Sequence, residues 1–306
     1  MEIWSKIREF LPSNLNCDIG GAIITINKSL HGGRKKMRKL GCNASALLGN
    51  DIPANMECIK AAGFDCTFIS WNDGADIDGY MKKAASIGLA VETFHAPFDK
   101  MNSMWEESVD GDEYTELLRR CIKAAGHYGV PYVIIHTTIG RIVPKTSPIG
   151  LLRYHKLIVE AEKQGVKLAF ENLEYVRHLE LILDYFTSEN VGFCYDVGHE
   201  HCYTPGIKYM PIFGDRLFCT HIHDNLGLAP TKDVDYRDDL HRIPFDGNID
   251  YDAVCRGIKQ SGYKGSLMLE ISNRTPYLFY DGLSPMQFYT KAYEAAQKLR
   301  TLCDGN

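Results

Sequence analysis

The chain has 306 residues, of which 45% are hydrophobic and 24% are charged, and its formal net charge is -5 at pH 7. This composition is typical of a soluble globular protein and excludes a disordered or low-complexity chain. No apolar run reaches about 18 residues, so we expect no membrane span. The acidic balance argues against non-specific binding to nucleic acid.

The ten cysteines do not form the pattern of a disulfide framework. The sequence contains no C-x-x-C pair, and Cys66, Cys194 and Cys219 lie inside apolar runs, where a free thiol packs as a small apolar side chain. The N-terminal segment MEIWSKIREF carries charges and does not resemble a secretory signal. We therefore expect a reducing, cytoplasmic location in which all ten thiols are structural.

From residue 39 onward, short β-rich apolar runs alternate with longer amphipathic segments. The predicted strands lie, in chain order, at 39–47, 65–70, 89–95, 131–136, 166–171, 191–196, 216–223 and 265–270. The segments between them, such as 112–129 and 151–165, space their apolar residues as helices do. Several of these helices are predicted to end in a glycine. These glycines are Gly63, Gly88, Gly129, Gly165 and Gly262.

Eight strand–helix units predict a parallel sheet, and eight is the number that closes a (β/α)₈ barrel. A doubly wound open sheet is the main alternative, but no G-x-G-x-x-G follows the first predicted strand, which disfavours its dinucleotide-binding form. We predict an α/β TIM barrel over residues 39–306, preceded by an N-terminal extension over residues 1–38. Because its basic stretch HGGRKKMRK (31–39) is short, we expect this extension to be an accessory cap or an oligomer contact rather than a nucleic-acid arm.

Six predicted strands end in a side chain that can titrate or bind a metal ion. These residues are His95, His136, Glu171, Asp196, His221 and Glu270. The C-terminal ends of all strands in a TIM barrel converge on one mouth, where active sites lie, so we expect these side chains to cluster. Imidazole and carboxylate ligands suit Zn²⁺, Mn²⁺, Co²⁺ or Fe²⁺. A purely structural charge network is the alternative, but buried carboxylates without a cation would destabilise the fold.

Further candidates follow the same strands. His199 comes after Asp196 in YDVGHEH, His223 lies two residues after His221 on the same strand face, and Asp239 and His241 form a D-x-H pair. Trp71 ends the second strand and Phe98 follows the third. Either aromatic ring could form an apolar wall against a substrate, or pack in the core instead.

Several strings at the predicted strand ends resemble the xylose isomerase-like barrel superfamily. They are HAPF (95–98), IIH (134–136), FENLE (170–174), YDVGH (195–199), HIHDN (221–225), D-x-H followed by P-x-x-G-N-I-D (239–250), and LEIS (269–272). The resemblance spans residues 39–300 and keeps the order of the motifs. This superfamily includes isomerases and epimerases of sugars and sugar phosphates, and endonuclease IV-type repair enzymes.

The resemblance to the D-tagatose/D-psicose 3-epimerase branch implies one divalent metal ion held by Glu171, Asp196, His221 and Glu270. It also implies that the two glutamates move protons and that His199 contacts the substrate. The implied reaction is isomerisation or epimerisation of a keto-sugar, a sugar phosphate or a related polyol, through proton abstraction and a metal-stabilised enediolate. The other expected substrate contacts are His95, His136, His223, Trp71 and Phe98.

The endonuclease IV-like branch binds three zinc ions, and its ligand pattern is matched here in full. The matching residues are His95, His136, Glu171, Asp196, His199, His221, Asp239, His241 and Glu270. The count of metal ions is therefore open between one and three, and the alternative function is a zinc phosphodiesterase acting on abasic DNA. The net charge of -5 and the lack of basic, aromatic-rich loops near the strand ends disfavour it.

One departure from this superfamily is P-F-D-G-N (244–248), where the usual pattern reads P-G-x-G. A barrel that binds sugar without catalysis is a third interpretation, although no ligand position is eroded. We expect a small-molecule sugar or sugar phosphate as partner, neither membrane nor nucleic acid, and a homo-oligomer because symmetric assemblies are common.

Overall fold

The structure, a computed structural model, describes residues 37–47, 49, 51–228, 233, 235–273 and 279–305. The strands in these residues are β1 Leu40–Asn43, β2 Cys66–Ser70, β3 Ala90–His95, β4 Tyr132–Ile135, β5 Lys167–Glu171, β6 Val191–Asp196, β7 Leu217–His221 and β8 Leu267–Leu269. The helices are α1 Ile52–Ala62, α2 Ile77–Ser86, α3 Val109–Tyr128, α4 Pro148–Gln164, α5 Val176–Tyr185, α6 Val197–Cys202, α7 Met210–Phe213, α8 Tyr251–Gln260 and α9 Pro285–Asp304.

The strands form one parallel sheet in the order β7-β6-β5-β4-β3-β2-β1-β8. An isolated parallel bridge between Ile222 and Leu269 joins the two ends of this sheet, just beyond β7. The sheet is therefore a nearly closed barrel with helices between its strands, and the predicted TIM barrel is confirmed. Each predicted strand run contains one observed strand. The predicted extension lies outside the described residues, except for Met37 and Arg38.

Local sequence sets where the helices begin and end. In α4 the side chain of Ser147 accepts a hydrogen bond from the Gly150 N–H, and Pro148 occupies the first turn, where its missing N–H is not needed. Gly165 then ends the helix with a φ of 67°, a left-handed conformation that glycine adopts without steric cost. All five glycines predicted at helix ends have positive φ, which confirms them.

The interior of the barrel is apolar below the strand ends. Ile134, Ala169, Cys194 and Cys219 form one buried cluster there. The cysteines in the described residues are free thiols, and all of them except Cys58 are buried. Burial raises the pKa of the Cys194 and Cys219 thiols well above the usual value, so they remain protonated and pack as apolar groups. No helix in the described ranges combines the length and the apolar character that crossing a bilayer requires.

Candidate metal centre

The barrel brings the predicted strand-end residues to one mouth. His95, Glu171, Asp196 and His221 are the last residues of β3, β5, β6 and β7, while His136 and Glu270 directly follow β4 and β8. Neighbouring strands are paired so that Asp196 lies beside His221. The side chains therefore project from one layer of the barrel, as the sequence analysis predicted.

Glu171, Asp196, His221 and Glu270 form a compact set that we call the inner group, with ligand atoms within 4.8 Å of one another. His221 Nδ1 lies 3.0 Å from Glu171 Oε1, 2.8 Å from Glu270 Oε2 and 4.0 Å from Asp196 Oδ2. The imidazole stacks on Phe68, with 4.9 Å between ring centroids. This stacking holds Nδ1 toward the three carboxylates.

The inner group fits a divalent cation. Glu171 Oε2 and Asp196 Oδ2 are buried and make no hydrogen bond to any described residue. Burial alone would raise the pKa of Glu270, but the adjacent His221 lowers it to about 2. The pKa of Glu171 is lowered as well, because its histidine neighbours outweigh its burial, so two ionised glutamates beside one imidazole leave uncompensated negative charge even if that imidazole is protonated. A buried excess of charge is unfavourable without a counter-ion, and a divalent ion would supply one.

His199, His223, Asp239 and His241 form a second set, the outer group, whose ligand atoms also lie within 4.8 Å of one another. Asp239 Oδ2 is 3.2 Å from His199 Nε2 and 2.9 Å from His241 Nε2. Asp239 Oδ1 is 3.5 Å from His223 Nε2. His199 lies in the short helix α6 after β6, and the other three residues lie in the segment after β7, rather than at the strand ends.

A third set shares a residue with the inner group. His95 Nε2 and His136 Nε2 lie 3.4 Å and 3.2 Å from Glu171 Oε2, respectively. Phe98 stacks on the His136 ring at 4.5 Å. Glu171 thus faces His221 with one carboxylate oxygen and this histidine pair with the other.

Hydrogen bonds to backbone carbonyls define the tautomers of three histidines. The Nδ1 atoms of His95, His199 and His241 lie 2.9, 3.0 and 2.8 Å from the carbonyl oxygens of Ala96, Asn172 and Glu270. A carbonyl oxygen only accepts, so each Nδ1 carries a proton. Burial lowers the pKa of His199 and His241, but nearby aspartates outweigh it and raise the pKa of both rings, that of His241 to about 10, so each Nε2 can also donate to Asp239 Oδ2. A histidine Nε2 and a carboxylate oxygen come this close only with a proton or a metal cation between them. The same carbonyl contact orients metal-binding histidines in general.

Asn172 fixes the ends of β5 and β6 against each other. Its side-chain amide donates to the Asp196 carbonyl oxygen at 2.8 Å, and its side-chain oxygen accepts from the Asp196 N–H at 2.8 Å. The backbone carbonyl of Asn172 also accepts from His199, as described above. Asn172 therefore positions two candidate ligands. Sequence reasoning missed it, although it follows Glu171 directly in FENLE.

A cavity of about 330 Å³ opens onto these groups. Of the expected substrate contacts, His95, His136, His199 and Phe98 line it. Trp71 and His223 are not among the lining residues, and Trp71 packs in the hydrophobic core. The described lining also includes residues that sequence reasoning missed: Thr138, Ile139, Gly140, Leu173, Glu174, Tyr203 and Tyr236.

Glu174 is the acidic residue among the lining residues that sequence reasoning missed. Its Oε2 atom is buried without a hydrogen bond to a described residue, and burial raises the pKa of its carboxyl. The available signal was its place in FENLE, where it lies in the loop after β5. An unpartnered carboxylate oxygen at the cavity is suited to accept a hydrogen bond from a ligand.

Asp224 explains the unusual P-F-D-G-N segment. Its carboxylate accepts hydrogen bonds from the N–H groups of Asn225 and Phe245, both at 2.9 Å, and belongs to none of the donor groups. A Cβ atom on Gly247 would lie 2.2 Å from Asp224 Oδ1, so glycine is required at this close approach. The acidic residue of HIHDN is therefore a support for the loop.

Comparisons with known proteins agree with this architecture. A family model described as xylose isomerase-like TIM barrel matches residues 56–301. The uncharacterized protein y4fM of Sinorhizobium fredii is 28% identical over 293 residues, covering 82% of this chain and 89% of that protein.

Among solved structures, a D-allulose 3-epimerase from Methylomonas sp. in complex with D-allulose superposes with a TM-score of 0.69 at 17% identity, covering 86% of this chain and 98% of that one. A xylose isomerase-like TIM barrel/4-hydroxyphenylpyruvate dioxygenase fusion protein superposes with a TM-score of 0.73 at 19% identity. That alignment covers 88% of this chain but only 43% of the fusion protein. The match over residues 56–301 establishes that the chain belongs to the xylose isomerase-like TIM barrel family.

Proposed function

We propose that this protein is a divalent-metal-dependent isomerase or epimerase of a keto-sugar, a sugar phosphate or a related polyol. The observation that carries this proposal is the inner group, of which Glu171 and Glu270 line a concave cavity. Two glutamates from separate strands, Glu171 and Glu270, both lie within 3.0 Å of His221 Nδ1. This arrangement suits proton removal and return at one substrate carbon.

Glu171, Asp196, His221 and Glu270 would hold the ion. When bound, a divalent ion supplies polarisation of a carbonyl and an adjacent hydroxyl oxygen, which acidifies the C–H between them. The two glutamates are ionised at neutral pH because, despite their burial, nearby histidines lower the pKa of each. One carboxylate would remove the proton from carbon. The other, once protonated by solvent, would return a proton to the resulting enediolate, and the first glutamate would release its proton to solvent.

The rest of the cavity would orient the sugar and exclude water. Phe98, Leu173 and Tyr203 offer apolar surface to sugar C–H groups, and Glu174 offers the free carboxylate oxygen. Exclusion of bulk water would protect the reactive enediolate from side reactions. The sugar 3-epimerase noted above shares this fold, which supports the proposal at the level of architecture.

Exchange of substrate protons with solvent tests the proposal directly. A panel of ketoses, incubated with the metal-loaded protein in D₂O, should contain at least one that gains deuterium at the carbon next to its carbonyl. Glu270→Gln should slow that exchange by about 10²–10⁴-fold, the usual contribution of a general acid–base group.

Glu116→Gln is the matched control, because Glu116 lies on the outer helix α3 with an exposed side chain; its exchange rate should be unchanged. Failure of every ketose to exchange, or wild-type exchange by Glu270→Gln, would overturn the proposal.

A zinc phosphodiesterase is the second candidate, and the presence of three donor groups at one mouth favours it. Closely spaced ions that stabilise the attacking and leaving oxygens are a common basis for phosphoester cleavage. An oligonucleotide with an abasic site separates the two candidates. We expect no strand cleavage by the zinc-loaded protein, and cleavage that Glu270→Gln abolishes would replace the isomerase proposal.

A further inference from the structure

We propose that the C-terminal helix α9, together with Tyr280 just before it, positions Asp239 and His241 at the cavity. Both residues line the cavity and lie at the start of the segment 239–250, which we call the D-x-H loop. The family resemblance accounts for these two side chains but not for P-F-D-G-N (244–248), which departs from its pattern. This part of the loop supplies the contacts with α9. The placement of the two side chains is independent of the reaction that the cavity catalyses.

Phe245 occupies the position where the usual pattern has glycine. Its φ is 74°, a left-handed conformation that is unfavourable for a residue with a Cβ atom. The ring lies 3.8 Å from Lys298 Nζ and 4.7 Å from the Tyr251 ring, measured to ring centroids. Backbone strain of this kind persists where surrounding contacts outweigh it, and a cation over an aromatic face is such a contact. Because Lys298 belongs to α9, Phe245 ties the D-x-H loop to that helix.

Asp246 makes a second contact with α9. Its carboxylate accepts hydrogen bonds from Lys291 Nζ at 2.8 Å and from the Tyr280 hydroxyl at 2.9 Å. The side chain of Asp246 is only 16% exposed, so its ion pair with Lys291 is partly shielded from solvent, which strengthens it relative to a fully exposed pair. Tyr280 is itself buried, and its ring packs edge-on against Phe288 of α9 at 5.3 Å.

The Tyr280 hydroxyl connects these contacts to His241. It donates to Asp246 and accepts from the Ile243 N–H at 2.8 Å, and burial raises the pKa of the phenol, so the donated proton is retained. Arg242 also donates to the Asp246 carbonyl oxygen at 3.2 Å. His241 precedes both residues and has a φ of 45°, which is likewise uncommon for a residue other than glycine. Fixing the backbone at Arg242 and Ile243 therefore constrains the strained turn that directs the His241 ring.

Backbone hydrogen–deuterium exchange and zinc affinity of the full-length protein test this positioning role. Zn²⁺ is the probe because the endonuclease IV-like pattern includes Asp239 and His241 among its ligands. Tyr280→Phe removes only the hydroxyl group, and the variant should exchange faster over residues 239–250. By competition with a chromophoric chelator, it should also bind Zn²⁺ about 10–100-fold more weakly, the usual cost of losing a group that orients metal ligands.

Tyr263→Phe is the matched control. Tyr263 is also buried, and its hydroxyl donates to the Ser266 carbonyl oxygen at 3.0 Å, but it precedes β8 and so lies at the opposite end of the barrel. Its loss of one hydrogen bond should lower Tm without changing zinc affinity or exchange over residues 239–250. A general loss of stability is thereby separated from a loss of positioning.

A double variant, Lys291→Met with Lys298→Met, changes α9 alone and leaves the sequence of the D-x-H loop intact. It should speed exchange over residues 239–250 and weaken zinc binding by about ten-fold, whereas Lys123→Met, at an exposed lysine of α3, should do neither. Two results would each overturn the proposal. One is a folded Tyr280→Phe protein that matches Tyr263→Phe in zinc affinity or in exchange over residues 239–250, and the other is a double lysine variant that behaves like Lys123→Met.

Discussion

Replacing Gly198 by Ala should displace His223 from the outer group. Gly198 lies in α6, and a Cβ atom at this position would be 1.9 Å from His223 Cε1 and 2.4 Å from its Nε2. Because real Cβ atoms stay at least 3.0 Å from such neighbours, the ring must move by about 1 Å. Metal–ligand distances tolerate only about 0.2 Å, so this displacement would take His223 out of reach of any ion held by the outer group.

The magnitude follows from the packing around His223. The ring is buried and stacked on His241, so it has no free volume to enter, and overpacking of this kind costs about 1–3 kcal/mol. For a domain of this size each 1 kcal/mol lowers Tm by about 2–4 °C. Alanine is otherwise favoured over glycine in a helix by about 1 kcal/mol, so any loss of stability is steric in origin.

Thermal unfolding and elemental analysis of the zinc-loaded protein measure both effects. Gly198→Ala should lower Tm and lose one ion per chain. Gly74→Ala is the matched control, because the nearest atom to its added Cβ is Asn72 Oδ1 at 3.6 Å, an ordinary contact. A Gly198→Ala protein with the Tm and ion count of the wild type would refute the placement of His223.

Three further predictions concern the cavity, the outer helices and the metal. Glu174→Ala should raise the KM for the ketose substrate by about ten-fold or more with little change in kcat, because it removes a charge-assisted hydrogen bond worth about 1.5–3 kcal/mol; steady-state kinetics decide this. Burial opposes ionisation of Glu160, but hydrogen bonds from Gln164 and Arg119 outweigh it and lower its pKa. Since a lowered pKa stabilises the fold above the ordinary glutamate value, Glu160→Gln should be less stable than wild type by about 1.5 kcal/mol at pH 7. This difference in the free energy of unfolding should disappear when denaturation is measured at successively lower pH, down through that lowered pKa. Removal of bound metal by a chelator should lower Tm, and added Zn²⁺ or Mn²⁺ should restore it; an unchanged Tm would contradict the metal sites.

The barrel and the convergence of its six strand-end residues could be predicted because both depend on strand periodicity, whereas the family resemblance selected the inner group among them. A parallel strand in a TIM barrel begins and ends in the same layer as its neighbours, so the last residue of each apolar run marks the mouth. Asp196 and His221 were predicted together on this basis, and the sheet pairs them directly. No loop conformation enters that reasoning.

The rest depends on tertiary packing that leaves no local signal. Trp71 and Phe98 are both aromatic residues near strand ends, yet the first is 6% and the second 42% exposed. His241 faces Asp239 only because its backbone adopts a left-handed conformation, which the sequence D-L-H does not indicate. The unpartnered oxygen of Glu174 likewise becomes evident only once the surrounding loops are in place.

The spacing of the two histidines in HIHDN relates the strand pattern to the grouping of side chains in the structure. Residues two apart on a strand face the same side and lie about 6.6 Å apart along it. Here the two rings approach different carboxylates, with His221 Nδ1 2.8 Å from Glu270 Oε2 and His223 Nε2 3.5 Å from Asp239 Oδ1. His221 therefore joins the inner group and His223 the outer one. Asp196 lies between them, with Oδ2 4.0 Å from His221 Nδ1 and Oδ1 3.1 Å from His223 Nε2. In this chain the two histidines of HIHDN thus join two separate donor groups, linked by one carboxylate from the adjacent strand.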